Sequence, residues 1–184
     1  MNNIFLALDL ELNTPDTNPT IIEIGLCMAN IQTKEILNKT SLLINPNAIL
    51  EERIIKLTGI TQEMVNNGTD LQAAYKVILA LKEQYQPFIS PIVWGQGDAR
   101  LLKEQLGLAR SDKWSFGFRE LDVKCLYQGY CIANGFKPQA GLKKSCNKMG
   151  VRFYGPAHRA HNDAEGTMNL FIKMVELYKQ DVIK

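Results

Sequence analysis

From Ile4 to Leu12 the chain reads IFLALDLEL, and its side chains alternate across an extended strand. Phe5, Ala7, Asp9 and Glu11 share one face, and Leu6, Leu8, Leu10 and Leu12 the other. Both faces begin apolar, which suits a central strand whose far end opens into a site. A loop rich in turn residues follows (NTPDTNPT). IIEIGLCMANI and ILNKTSLLINP then read as two more strands, giving a three-stranded antiparallel start that ends at Asn45, Pro46 and Asn47.

Beyond this point the apolar period becomes helical. ILEERIIKLTGI predicts a short helix closed by Gly59, and ITQEMVNNG a turn or short helix. Thr69 is the expected cap of a longer helix over DLQAAYKVILALKEQY. FISPIVWG predicts a strand, and DARLLKEQLGL a helix opening at Asp98. After an aromatic loop (KWSFGFRE), helices fit DVKCLYQGYCIANG and GLKKSCNKMG, and a last one runs from near Asp163 through LFIKMVELYK. Strands followed by alternating helices and a strand predict an α/β domain built on a mixed sheet flanked by helices.

Length and composition add limits. At 184 residues, 46% apolar and 22% charged, the chain fits one globular domain spanning 1–184. The opening MNNIFLALDL has no basic start, and its apolar run breaks at Asp9, so it does not read as a signal peptide. No stretch approaches the length of a membrane helix, so the expectation is a cytoplasmic protein with no membrane partner. Cys27, Cys125, Cys131 and Cys146 have no C-x-x-C pairing and no histidine at zinc-finger spacing, which favours small core residues in a reducing compartment.

The net charge of +2 hides an uneven distribution. No acidic residue occurs between Asp122 and Asp163, a stretch that carries Lys124, Lys137, Lys143, Lys144, Lys148, Arg152 and Arg159. A one-signed segment of this kind attracts a polyanion, and Lys143, Lys144 and Arg159 are candidate substrate contacts.

The chemistry resides in four acids and a histidine. Asp9 and Glu11 are two residues apart on a strand, so their carboxylates stand side by side and repel unless a cation neutralises them. Asp98 lies between an apolar strand and a helix, and Asp163 at or just before the last helix. Hard oxygen donors in such a cluster select Mg²⁺ or Mn²⁺, and two such ions can hold the attacking and leaving oxygens of a phosphoryl transfer. His158, five residues before Asp163, suits a loop position from which it could take a proton from water. Alone, Asp98 reads equally well as a helix N-cap and each histidine as a surface residue. The ordered combination carries the signal.

In that combination the chain resembles the DEDDh family of 3′–5′ exonucleases. The motifs are, in order, LALDLEL (Asp9, Glu11), VWGQGDARLL (Asp98) and HRAHNDAEGTMNL (His158, Asp163), with KLTGIT similar to the family's segment after the third strand. The H-x-x-x-x-D spacing selects His158 over His161. WGQGD, LDVKCLY and GLKKSCNKMGV look most like the Eri-like branch, which trims RNA 3′ ends. The resemblance implies an RNase H-like fold, with parallel strands following the antiparallel start, and two divalent ions. Asp9, Glu11 and Asp163 would bind one ion, Asp9 would bridge to the second, and Asp98 would support it directly or through water. His158 would activate the water, and nucleoside 5′-monophosphates would leave from the 3′ end of a single strand, RNA rather than DNA.

Two departures stand out. Leu12, Asn13 and Thr14 follow Glu11, where the family often has small or hydroxylated residues beside the terminal nucleotide, which makes Leu12 a candidate substrate contact. The family's acidic pair before the final alanine is here Asn162-Asp163. Two other readings keep the same fold: a DNA-trimming or proofreading exonuclease, and a non-catalytic module that binds RNA or protein. Trp94, Trp114, Phe116 and Phe118 are candidate stacking rings, though each also suits loop or core packing.

Overall fold

A computed structural model describes residues 3–14, 18–108, 116–117 and 119–181. The alternating run forms β1 (Ile4–Asn13), and the next two apolar runs form β2 (Thr20–Asn30) and β3 (Glu35–Leu43). These three pair antiparallel. β4 (Ile92–Val93) then adds to the other side of β1 in parallel, and β5 (Leu121–Asp122) adds to β4, also in parallel. The sheet order is β3-β2-β1-β4-β5, with β1 at its centre.

The two faces of β1 enter separate cores. Leu6, Leu8 and Leu10 pack with Ile24, Leu26 and Met28 beneath helix α3 (Leu71–Tyr85) and helix α4 (Asp98–Gln105). Ala7, with Phe5 beside it, packs against α5 (Val123–Ala133), α6 (Leu142–Lys148) and α7 (Ala160–Asp181). The short helices α1 (Glu52–Thr58) and α2 (Gln62–Asn66) close a third cluster around Ile22, Ile54 and Ile60. Asp9 and Glu11 therefore emerge at the end of the central strand, on the face that α7 covers.

Three local expectations change. The strand expected over 88–95 shrinks to Ile92–Val93, because Pro91 has no N–H to donate and Gly95 turns the chain with φ 88°. The α3 cap is Asp70, whose side chain accepts from the Ala73 N–H, and not Thr69. Strand β5, the second parallel strand, was not located in the sequence, since two residues carry no periodicity. Gly59 closes α1 in the left-handed conformation, as expected.

All four cysteines are free thiols, and Cys27, Cys131 and Cys146 are buried while Cys125 is exposed. Among the described residues no helix is long and apolar enough to cross a membrane. Trp114 and Phe118 lie outside the described residues. Phe116 is buried in the core beneath α3 and α4, so it offers no ring to a nucleobase.

Candidate active site

The end of β1 is fixed by its partner strand. Asp9 stands opposite Gly25 and Glu11 opposite Glu23 across the β1–β2 pairing, and a register shift follows immediately after Glu11. Leu12 continues the alternation of Leu6, Leu8 and Leu10 and packs partly buried in the core on the α3 and α4 side. Leu12 thus sits away from the carboxylate face, and its side chain is not among those lining the cleft there.

Gly25 lets the last helix approach. A Cβ at this position would lie 1.9 Å from the Ala160 carbonyl carbon and 2.3 Å from the His161 nitrogen. Only glycine admits a backbone this close, and the contact brings the start of α7 against the sheet beside Asp9. Glu23 then binds what arrives. Its buried carboxylate accepts from Arg159 Nε (3.0 Å) and Nη2 (3.1 Å), the Ala160 N–H (3.0 Å) and Ser41 Oγ (2.6 Å), with His161 Nδ1 at 2.9 Å. Burial raises its pKa, but these hydrogen bonds outweigh burial and hold it below the ordinary glutamate value.

Arg159 is committed to Glu23 through a two-pronged pair, so its guanidinium does not reach for substrate as the sequence suggested. His161 is likewise turned to Glu23 and away from the cluster. Glu23 itself was not singled out in the sequence. Its signal was nonetheless present, a charge embedded in the apolar run IIEIGLCMA, the same reasoning that singles out Asp9.

The loop before α7 is cinched from two sides. Asn162 donates to the Pro156 carbonyl (3.0 Å) and accepts from Lys39 Nζ (2.8 Å), while Asp163 Oδ2 accepts the His158 N–H (2.9 Å). Asn162, the departure from the acidic pair, is thus an internal brace of the loop. His158 is left exposed with φ 61°, a left-handed conformation seldom adopted by a non-glycine residue and a strain often found at functional sites. Donor atoms of Glu11, His158 and Asp163 all lie within 4.8 Å of one another.

The charges report the same convergence. Burial, then the charges of Asp98, Asp163, Glu11 and Glu23, push the Asp9 carboxyl well above the usual range. Burial and the charges of Asp163, Glu23 and Asp98 push Glu11 up to about 8. Asp98 is raised to about 7 by burial and by Glu120, and Asp163 is raised chiefly by burial. Four carboxylates that resist ionisation together, at the end of one strand, make an oxygen-rich set that a divalent cation would relieve. The donor set fits Mg²⁺ or Mn²⁺.

A cleft of about 790 Å³ opens over Asp9, Glu11 and Asp163, and Asp98 is not among the residues that line it. Asp9, Glu11, His158 and Asp163 line one part of it, and Trp94, Gln139, Lys143, Lys144 and Asn147 another. Lys143 and Lys144, both on α6, line the same cleft as these carboxylates, and the Lys143 ammonium lies 5.5 Å from the centre of the Phe153 ring. A larger depression of about 1060 Å³ lies beside α4, lined by Gln96, Arg100, Lys103, Arg119 and Glu120 among others, and holds none of Asp9, Glu11 or Asp163.

The model of the exonuclease (RNase_T) family matches residues 6–171. The chain belongs to the exonuclease family. Among relatives, a DNA polymerase III PolC-type of Thermotoga petrophila is 28% identical over 184 residues, which cover 97% of this chain and 12% of that protein. The DNA polymerase III subunit epsilon of Aquifex aeolicus is 27% identical over 180 residues, covering 96% of this chain and 82% of that subunit. Among solved structures, the nuclease domain of 3′hExo, a DEDDh family member bound to rAMP, superposes with a TM-score of 0.75 at 18% identity. That match covers 95% of this chain and 92% of the other. Pop2p of S. pombe, in its Mg²⁺- and Mn²⁺-bound form, superposes with a TM-score of 0.67 at 15% identity, covering 96% and 83%. The fold is the RNase H-like exonuclease fold, a mixed sheet flanked by helices. These two sequence relatives are named for DNA polymerase III and not for the Eri-like branch.

Proposed function

We propose that this exonuclease domain, a single unit over 1–184, removes nucleotides one at a time from the 3′ end of a single-stranded nucleic acid and releases 5′-monophosphates. The observation that carries the reading is that Glu11, Asp163 and His158 bring donor atoms within 4.8 Å of one another beside Asp9, in one cleft at the end of β1, where the charge of Asp98 also acts on Asp9 and Glu11.

Asp9, Glu11 and Asp163 would hold one divalent ion, and Asp9 and Asp98 would serve a second. Such ions, when bound, neutralise the charge that develops on the phosphoryl oxygens. His158 takes the proton of the attacking water, since its exposed ring stands beside Glu11 and Asp163 and an imidazole nitrogen can accept a proton. Asp163 fixes the main chain at His158 by accepting its backbone N–H. Lys143 and Lys144 receive the phosphates of the incoming strand along the cleft wall. Trp94, on the same wall, offers a face to a base.

The sugar preference has two supports that pull apart. WGQGD, LDVKCLY and GLKKSCNKMGV resemble the Eri-like branch and favour RNA. The names of the sequence relatives, PolC-type and epsilon, favour DNA as the second reading.

Digestion of 5′-labelled single-stranded RNA and the matching DNA, each with Mg²⁺, Mn²⁺ or EDTA and with Asp9→Ala as control, tests the proposal. A metal-dependent ladder shortening from the 3′ end, absent in Asp9→Ala, is expected, faster on RNA. Faster digestion of DNA selects the second reading. No cleavage of either strand with any metal would replace the enzyme by a binding module that keeps the fold.

A further inference from the structure

We propose that Glu120 is a positioning residue that caps helix α4 from outside and so frees Asp98 for the metal cluster. The inference rests on the reading of Asp98 as a metal-binding residue.

An aspartate where a loop enters a helix usually serves as the N-cap, its carboxylate turned back onto the N–H groups of the first turn. Here it does not. Asp98 is the first helical residue of α4, and the cap position is Gly97, which has no side chain and sits at φ 123°. The N–H groups of a helix start still need acceptors. Glu120 supplies them. Its Oε2 accepts from the Gly97 N–H at 2.8 Å and its Oε1 from the Ala99 N–H at 2.7 Å. One carboxylate thus grips the backbone on both sides of Asp98, and its negative charge suits the positive end of the helix.

The grip is built into the sheet. Leu121 and Asp122 pair with Ile92 and Val93, which fixes where the chain leaves β4 relative to where it enters β5. Asp122 adds a second hold, its Oδ1 accepting the Gly95 N–H at 3.1 Å. Glu120 and Asp122 therefore hold the loop between β4 and α4 at Gly95, Gly97 and Ala99. With the first turn already capped, the Asp98 carboxylate is available to the cluster, where its charge acts on Asp9 and Glu11. Without Glu120 the Gly97 and Ala99 N–H groups lose their acceptor, and the helix start can shift by one residue to make Asp98 the cap.

The test is a double-mutant cycle of Glu120→Ala and Asp98→Ala on the full chain, followed by single-strand digestion, Mn²⁺ titration by calorimetry and thermal melting. Glu120→Ala is expected to lower kcat by about 10–100-fold and to weaken Mn²⁺ binding to a similar degree, the usual range for a residue that orients a metal ligand. KM for the oligonucleotide should stay within about threefold. Adding Glu120→Ala to Asp98→Ala should cost little more, since Glu120 acts through Asp98. Glu120→Gln keeps one acceptor, should fall between, and carries the test if Glu120→Ala does not fold. Glu104→Ala, farther along the same helix, should match wild type. Multiplying losses in the double variant, or a kcat loss with unchanged Mn²⁺ binding, would overturn the proposal. A wild type that cuts, beside an unaltered Glu120→Ala, removes only the role of Glu120. A wild type that neither cuts nor binds Mn²⁺ removes the metal centre itself.

Discussion

Glu11 and Glu23 stand opposite each other on β1 and β2, and the fold treats the two carboxylates in opposite ways. Glu23 is surrounded by donors from Arg159, Ser41, His161 and the Ala160 backbone, and is held ionised below its ordinary value. Glu11, one strand away, meets Asp163, Glu23 and Asp98 and is pushed up to about 8. One is spent as an anchor for α7. The other is left in want of a cation.

This contrast sets the pH dependence of the metal-free protein. Glu11 at about 8 and Asp98 at about 7 lie above their unfolded values of about 4.3 and 3.9. Between those limits the native state holds protons that the unfolded chain has released, so stability falls as pH rises. In EDTA, Tm should therefore drop between about pH 5 and pH 8, with Mg²⁺ or Mn²⁺ restoring it most at the alkaline end. Glu11→Gln should raise Tm in EDTA at pH 8 while abolishing turnover. A melting temperature in EDTA that is flat or rises across this window would contradict the carboxylate cluster.

Gly25 supplies a second check, on how α7 is placed. A methyl group there meets the Ala160 backbone at 1.9 Å, and backbone cannot step aside as a side-chain end can. Gly25→Ala should destabilise the fold by about 3 kcal/mol, the upper end for overpacking, and displace Asp163 from Glu11. Activity should then fall more steeply than Tm does. A variant with wild-type stability and turnover would show that the helix start is not held against the sheet.

Much of this was legible in the chain. The two-residue alternation of β1 fixed the shared face of Asp9 and Glu11, and the apolar runs of β2 and β3 were long enough to read. His158 and Asp163 were readable as loop and helix because their spacing does not suit one continuous helix. What escaped were the residues whose meaning depends on distant partners. Glu23 and Arg159 are separated by 136 positions, and Glu120 and Gly97 by 23. Arg159 looked like a substrate cation because its anion lies on another strand. Asp98 taken alone read as a cap, and only its place in the ordered set marked it for the cluster, because nothing local reveals that Glu120 takes the capping task.

Lys143 and Lys144 test the path of the strand. Both line the cleft on a short helix, with no acid between Asp122 and Asp163 to offset them. Lys143→Glu combined with Lys144→Glu should weaken binding of a single-stranded oligonucleotide and flatten the dependence of log Kd on log salt by up to about two units, about one for each lost phosphate contact. Binding measured with the catalytically inactive Asp9→Ala background isolates the effect from cleavage. An unchanged salt slope would place the phosphate path elsewhere.

The two histidines separate proton transfer from architecture. His158 is exposed, left-handed and within 4.8 Å of Glu11 and Asp163 donor atoms, whereas His161 faces the Glu23 anchor. Asparagine tolerates the left-handed backbone well, so His158→Asn should fold as wild type does and lose only the proton acceptor. Turnover should fall by about 10²–10⁴-fold, the usual worth of a general base, with oligonucleotide binding retained. His161→Ala removes one donor from Glu23 and leaves Arg159, Ser41 and the Ala160 N–H in place. It should lower stability by about 1.5–3 kcal/mol, as for a hydrogen bond to a charged group, and keep turnover within about threefold. Steady-state kinetics beside thermal melting distinguish the two, because one variant loses rate without stability and the other stability without rate. Equal losses of rate in both would undo the assignment of the proton to His158 and point to the Glu23 anchor as the element on which activity depends.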